Sequence, residues 1–167
     1  KDITTDKDNR KILRRLKEND PEFDTLWVCD RDHRQDEHDY LPECARDIGW
    51  LGYFIGKNTI LRKLHFHWSA TAIEGVNRNR SIQEITFCRM DLSGEEIFQS
   101  LCPFFENNHN LSKLELTHCQ FSGSARQFSL ALRGFNKSLK FIGMEEIYLG
   151  DGQLVEIFEA MSVHPQL

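Results

Sequence analysis

The stretch Leu111-Ser-Lys-Leu114-Glu-Leu116-Thr-His-Cys119-Gln-Phe121 decides how this chain folds. Its apolar residues stand at offsets 0, +3, +5, +8 and +10 from Leu111. Three other stretches share the first three offsets: Leu61, Leu64 and Phe66; Ile82, Ile85 and Phe87; Leu139, Ile142 and Met144. Three residues before each first member stands an asparagine: Asn58, Asn79, Asn108 and Asn136. A recurring pattern of this kind outranks any local reading. One short unit cannot bury its apolar side alone and needs a neighbour of the same build.

Working outward, Phe23, Leu26 and Val28 fit the same offsets, and Leu167 opens a further unit. The steps between first members are 38, 21, 29, 28 and 28 residues. Met90 and Leu92, then Ile147 and Leu149, repeat the +8/+10 pair. The 21-residue unit has Ser69 and Thr71 there instead, so its helix, near Ile73 and Val76, must be short. Apolar and polar residues alternate within the first part of each unit, which predicts short parallel strands at 26–28, 64–66, 85–87, 114–116 and 142–144. Helical spacing then predicts a buried stripe in each later unit: Ile97, Leu101, Phe104 and Phe105; Phe128, Leu132 and Phe135; Leu154, Ile157, Phe158 and Met161.

This pattern resembles the leucine-rich repeat, in its ribonuclease-inhibitor-like class of about 28 residues. The resemblance covers residues 21–167, and Cys119 stands where that family places Cys or Asn. It implies an α/β leucine-rich-repeat solenoid, with curved parallel strands on the concave side and helices on the convex side. Units would start near 23, 61, 82, 111 and 139, with the next truncated at 167. Residues 1–20 would form an N-terminal helix that caps the array or ends a preceding repeat. The resemblance also implies a non-enzymatic, protein-binding segment of a larger intracellular protein, taking a folded partner on its concave face. Members act as enzyme inhibitors, small-GTPase activators and recognition arms of ubiquitin ligases or immune receptors. A GTPase activator would offer an exposed Arg near the start, where Arg31 and Arg34 stand.

Local signals mark boundaries. Ser93-Gly-Glu-Glu96 and Ser124-Ala-Arg-Gln127 read as capping boxes at helix starts. The recurrent Asn suits a left-handed or turn residue after each helix. Asn79, Asn110 and Asn136 also open glycosylation triplets, but the repeat already accounts for most of them. The segment with Lys7, Arg10, Lys11, Arg14, Arg15 and Lys17 is basic, and Ile12, Leu13 and Leu16 give it a helical stripe with a solvated outer face. Residues 30–38, rich in both charges, read as an inserted, mobile loop. A helix is expected from Tyr40-Leu41-Pro42, with Leu41, Ala45, Ile48, Leu51 and Ile55 buried.

The chain has 167 residues and a net charge of −5, spread unevenly. It has no apolar run long enough to span a membrane, and its polar first residues lack a signal peptide. The basic segment lacks the wider basic surface and stacking aromatics of a nucleic-acid binder. Five cysteines, an odd number, fit a reducing compartment, with Cys102 and Cys119 as buried thiols. The expectation is a cytoplasmic monomer with a protein partner, no cofactor, and no nucleic-acid or membrane partner.

Offsets +4 and +6 point away from the core. They give two ladders: Trp27, His65, Thr86, Glu115 and Gly143; then Cys29, His67, Cys88, Thr117 and Glu145. The binding candidates are Trp27, His65, His67, Thr86, Glu115 and Thr117. Trp27 is of a type enriched at binding hot spots, and the histidines add pH-sensitive contacts. Cys29, His67 and Cys88 share one offset on three successive strands and are candidate zinc ligands, with His65 or water as the fourth. No catalytic motif is present, and His65 and Glu115 are two strands apart, too far for an acid–base pair. The alternatives to a binding segment are a structural spacer without its own ligand, or a metal- or redox-responsive site at Cys29, His67 and Cys88.

Overall fold

The computed structural model describes residues 3–30, 38–67, 75–121, 123–134, 138–150, 152–164 and 167. Within them the backbone forms an α/β fold on a six-stranded sheet in the order β2-β1-β3-β4-β5-β6. The strands are β1 (Thr25–Cys29), β2 (Asp39–Tyr40), β3 (Lys63–His67), β4 (Glu84–Cys88), β5 (Lys113–Thr117) and β6 (Phe141–Glu145). Every pairing is parallel. Each of the five expected strands is present, one residue longer at each end. Like offsets face one another: Leu26, Leu64, Ile85, Leu114 and Ile142 form one row, and Val28, Phe66, Phe87, Leu116 and Met144 the next. The first four members of each row are buried. Phe66 and Phe87 stack with centroids 5.5 Å apart.

A sparser ladder follows the sheet. Asp91, Gln120 and Tyr148 bridge in parallel, flanked by buried Met90, Leu92, Cys119 and Phe121. The turn leading to it is left-handed, at Arg89 (φ 51°), His118 (φ 53°) and Glu146 (φ 48°). All three stand at offset +7. None is glycine, so each holds a conformation that side chains disfavour.

The helices are α1 (Lys7–Glu18), α2 (Ala45–Lys57), α3 (Glu95–Asn107), α4 (Ala125–Gly134) and α5 (Gln153–Met161), with a 3₁₀ turn at Val76–Arg78 in the short unit. Asp6 caps α1, accepting from the amides of Asp8 and Asn9, and Ile12, Leu13 and Leu16 are its buried stripe. Leu101, Phe104, Phe105, Phe128 and Leu132 are buried as expected. Leu154 and Phe158 are not; they are 45% and 55% exposed. Their unit lies at the sheet edge, so one of its sides has no neighbouring unit among the described residues.

Other expectations need correcting. No helix starts at Tyr40. Residues 39 and 40 form the outer strand β2 instead, and α2 begins at Ala45. Tyr40 is fully buried, and its hydroxyl donates to the Asp47 carbonyl (3.3 Å). Burial pushes the Tyr40 hydroxyl pKa well up, and the nearby Asp47 carboxylate adds to the shift. Ala45 is exposed, while Asp47 is buried and accepts from the Glu43 amide (3.3 Å). The capping boxes do not form as read. Gly94 is the N-cap of α3, without a side-chain bond, and Ser93 bonds back to Asp91. The Ser124 hydroxyl donates to Leu92 of the preceding unit (2.6 Å).

The recurrent asparagines are extended rather than left-handed, with φ of −73°, −72° and −92° at Asn58, Asn79 and Asn108. Their side chains make the turn. The Asn79 carboxamide oxygen accepts from the amides of Ser81 and Ile82 (2.7 and 2.9 Å). Its nitrogen donates to Ile55 and Asn58 of the preceding unit (2.7 and 2.9 Å). Asn58 likewise donates to Leu16, and Asn108 to Ile82. At Asn58 and Asn79 one buried side chain thus closes its own turn and ties its unit to the segment before, whereas Asn108 spans its own unit. At the equivalent place before Leu167 stands His164, whose Nε2 meets the Leu132 carbonyl at 2.5 Å.

Residues 31–37, with Arg31 and Arg34, and residues 68–74, Phe135 and Asn136 lie outside the described residues. The expectations for the inserted loop fall there. Among the described residues no helix is long and apolar enough to cross a membrane.

Candidate protein-binding face

Strand alternation sends Leu64 and Phe66 into the core and turns Lys63, His65 and His67 outward. The other strands follow, so the outward face is a grid of five strands. Register pairs Trp27, His65, Thr86, Glu115 and Gly143 in one row. Cys29, His67, Cys88, Thr117 and Glu145 form the row beside it. Both ladders read from the sequence are therefore present as neighbours.

Trp27 is 41% exposed, and its indole stacks on the His65 ring with centroids 4.1 Å apart and planes 11° apart. His65 is partly covered, and its Nδ1 is buried without a hydrogen-bond partner. Burial lowers the His65 pKa. The carboxylates of Glu84 and Glu115 oppose that shift, and the ammonium groups of Lys63 and Lys113 add to it. The His65 ring is thereby held toward its neutral form.

Beyond His65 the face is ionic. Lys63 reaches Glu84 (3.6 Å), Lys113 reaches Glu84 (3.9 Å) and Glu115 (3.0 Å), and Thr86 donates to Glu115 (3.4 Å). Such half-exposed pairs add little stability but fix the direction of the charges. His67 and Thr117 flank this network, each partly exposed.

At the far side stands Phe141, 48% exposed, which the ladders at +4 and +6 overlooked because it sits at +2. Gly143 makes room for it. A Cβ on Gly143 would meet the Phe141 ring at 3.0 Å and Glu115 Cγ at 3.3 Å. The Lys113 ammonium lies 5.5 Å from the same ring. Two aromatic groups thus border a strip of paired charges. The sequence signal was an apolar residue at an offset where the other strands carry Thr, Lys or Glu.

Cys29, His67 and Cys88 are neighbours by register, yet no group of three His, Cys, Asp or Glu among the described residues is placed to hold a metal ion. Cys29 is buried, unlike His67 and Cys88 in the same row. Burial raises the Cys88 thiol pKa, which disfavours the thiolate a metal needs. All five cysteines are free, and Cys119 is fully buried while Cys102 is partly so.

The domain is thus an α/β domain built on a six-stranded parallel sheet. Neither protein-family models nor curated protein sequences give a match. Solved structures do. The structure titled leiomodin-1 actin-binding site 2 aligns with a TM-score of 0.57 at 15% identity, over 91% of this chain and 86% of its own. The tropomodulin C-terminal domain of Caenorhabditis elegans gives 0.54 at 11% identity, over 93% of this chain and 92% of its own. At these identities the likeness is one of fold. It corrects the resemblance drawn from the sequence: the neighbours are this leiomodin and tropomodulin fold, not leucine-rich-repeat solenoids. The physical reason for the misreading is that the 0, +3, +5 spacing reports a parallel strand with one buried face, whichever family supplies it. The units here are also unequal, one closes on a 3₁₀ turn in place of a helix, and β2 adds a strand outside the pattern.

Proposed function

We propose that this chain is a non-enzymatic protein-binding domain that holds a folded partner against the outward face of its sheet, centred on Trp27 and His65. The observation that carries this reading is the half-exposed Trp27 indole, already ordered by its stack on His65. A large aromatic surface that is fixed before binding contributes contact area at little entropic cost. The Lys63, Glu84, Lys113 and Glu115 network beside it supplies charges of both signs, which orient a partner more than they hold it.

Actin is the partner to test first, because one structure of this fold is titled an actin-binding site. Binding of purified actin is measured for the unaltered domain, Trp27→Ala and Phe141→Ala. Saturable binding that Trp27→Ala weakens by about tenfold or more supports the reading. No binding of actin by the unaltered domain rejects actin as the partner. Equal binding by the Trp27→Ala protein rejects the face.

A further inference from the structure

A second site lies at the edge where the strands begin. The last turn of α2, the loops entering β3 and β4, and Asn110 before β5 line an open cavity of about 470 Å³. Among the described residues, Lys57, Arg62, Arg78 and Arg80 line it, and no carboxylate does. Composition does not account for this, because the chain as a whole carries a net charge of −5. None of the four cations has a carboxylate partner among the described residues.

Two of the guanidinium groups are held in place by the backbone. Arg62 Nη1 donates to the Thr59 carbonyl (2.8 Å) and approaches those of Leu61 and Ser81 (both 3.4 Å). Arg80 Nη1 donates to Asn77 (2.8 Å) and Asn79 (3.2 Å). Each tether uses one nitrogen of a five-donor fork and leaves positive charge on a group whose rotamer is already restricted. Lys57 lies over the Tyr53 ring, 4.5 Å from its centroid, and bonds its hydroxyl. Four cations close together repel one another unless an anion joins them.

We infer that this cavity binds a compact organic polyphosphate, with Arg62 and Arg80 as tethered forks and Arg78 and Lys57 as the further cations. Tethered guanidinium groups match phosphoryl oxygens in pairs, whereas a lone carboxylate would answer only one of the four charges. The volume lies within the range of small-ligand pockets and exceeds the needs of a single phosphate. Soluble polyphosphates and phosphorylated lipid headgroups share this chemistry.

The test is titration calorimetry of the whole chain with inositol hexakisphosphate and with pyrophosphate, alongside flotation with vesicles containing phosphatidylinositol bisphosphate. Vesicles matched in charge with phosphatidylserine are the control. Expected is one saturable site, weakened about tenfold or more in Arg62→Gln/Arg80→Gln and at least about threefold in Arg78→Gln. Among the described residues the Arg78 side chain makes no hydrogen bond, so its variant reads binding even if the double variant unfolds. Binding by the soluble compounds assigns a free ligand. Binding by the phosphoinositide vesicles alone assigns a headgroup. The inference is overturned if neither form binds, if Arg78→Gln binds as tightly as the unaltered chain, or if Arg10→Gln/Arg14→Gln on α1 weakens binding equally.

Discussion

The Trp27 indole and the His65 imidazole lie face to face across two paired strands, their centroids 4.1 Å apart. Parallel strands set their backbones about 4.8 Å apart, so two flat rings at one register position meet at stacking distance when their rotamers agree. Trp27→Ala is expected to weaken partner binding by about 2 kcal/mol or more, read as a change in Kd. Because Trp27 is already 41% exposed, its melting temperature should fall by no more than about 4 °C. A larger fall in Tm with unchanged Kd would make Trp27 a structural residue.

His65 gives the domain a pH dependence with a definite sign. Burial puts its folded pKa below the ordinary 6.5, so the folded chain binds fewer protons than the unfolded chain as pH falls. The contribution from neutral His65 is complete above pH 6.5 and declines as pH falls through the folded value. Denaturant midpoints of the unaltered chain and His65→Gln, measured across this range, should therefore converge or cross at low pH. A difference independent of pH would show that folding does not shift the pKa of this ring.

Gly75 touches Gly52 through backbone alone. A Cβ on Gly75 would stand 2.0 Å from the Gly52 carbonyl carbon, and neither backbone segment has a side chain to move aside. The φ of Gly75 is −78°, so the demand is for space and not for a left-handed conformation. Gly75→Ala is expected to cost about 3 kcal/mol or more. Gly49, on the exposed side of α2, has nothing within 4 Å of its virtual Cβ. Gly49→Ala should stabilise the chain by about 0.5–1 kcal/mol. Opposite shifts in two thermal melts check the pair.

Asn79→Ala removes two donations to the preceding unit and three acceptances within its own turn, at a fully buried residue. The Ser81 and Ile82 amides would lose their acceptor there. A loss of about 2–4 kcal/mol is expected. Hydrogen exchange should report it first at Ser81 and Ile82. Protection unchanged at those amides would mean that water replaces the side chain.

Leu114 is fully buried, with Ile85 and Ile142 on either side of it in the row that runs from Leu26 to Ile142. Strands on both sides limit relaxation around it. Leu114→Ala should cost about 2–5 kcal/mol, measured by chemical denaturation. A cost under about 1 kcal/mol would contradict the register of β4, β5 and β6.

Strand positions and their register were legible because they follow from short-range rules. A two-residue side-chain period separates inward Leu114 and Leu116 from outward Lys113, Glu115 and Thr117, and equal offsets then align parallel strands. The same logic places Trp27 beside His65 from the sequence alone. It also misled, because that spacing belongs to any buried parallel strand and so named the wrong family.

Other features depended on groups far apart in the chain. The Asn pattern was visible, but its extended backbone was not, since the carbonyls that receive Asn58 and Asn79 come from elements 42 and 24 residues away. Asp47 and Tyr40 are buried because α1, β2 and α2 close around them, with the Asn9 side chain donating to the carbonyl of Leu41 and accepting from its amide. Phe141 settles over a space that Gly143 leaves two residues on. The basic cavity draws Lys57, Arg62, Arg78 and Arg80 from one helix end and the segments before two strands. A sequence determines by itself what depends on period and neighbour spacing. Burial, the exchange of one hydrogen-bond partner for another, and charge brought together across units depend on distances that only the folded chain sets.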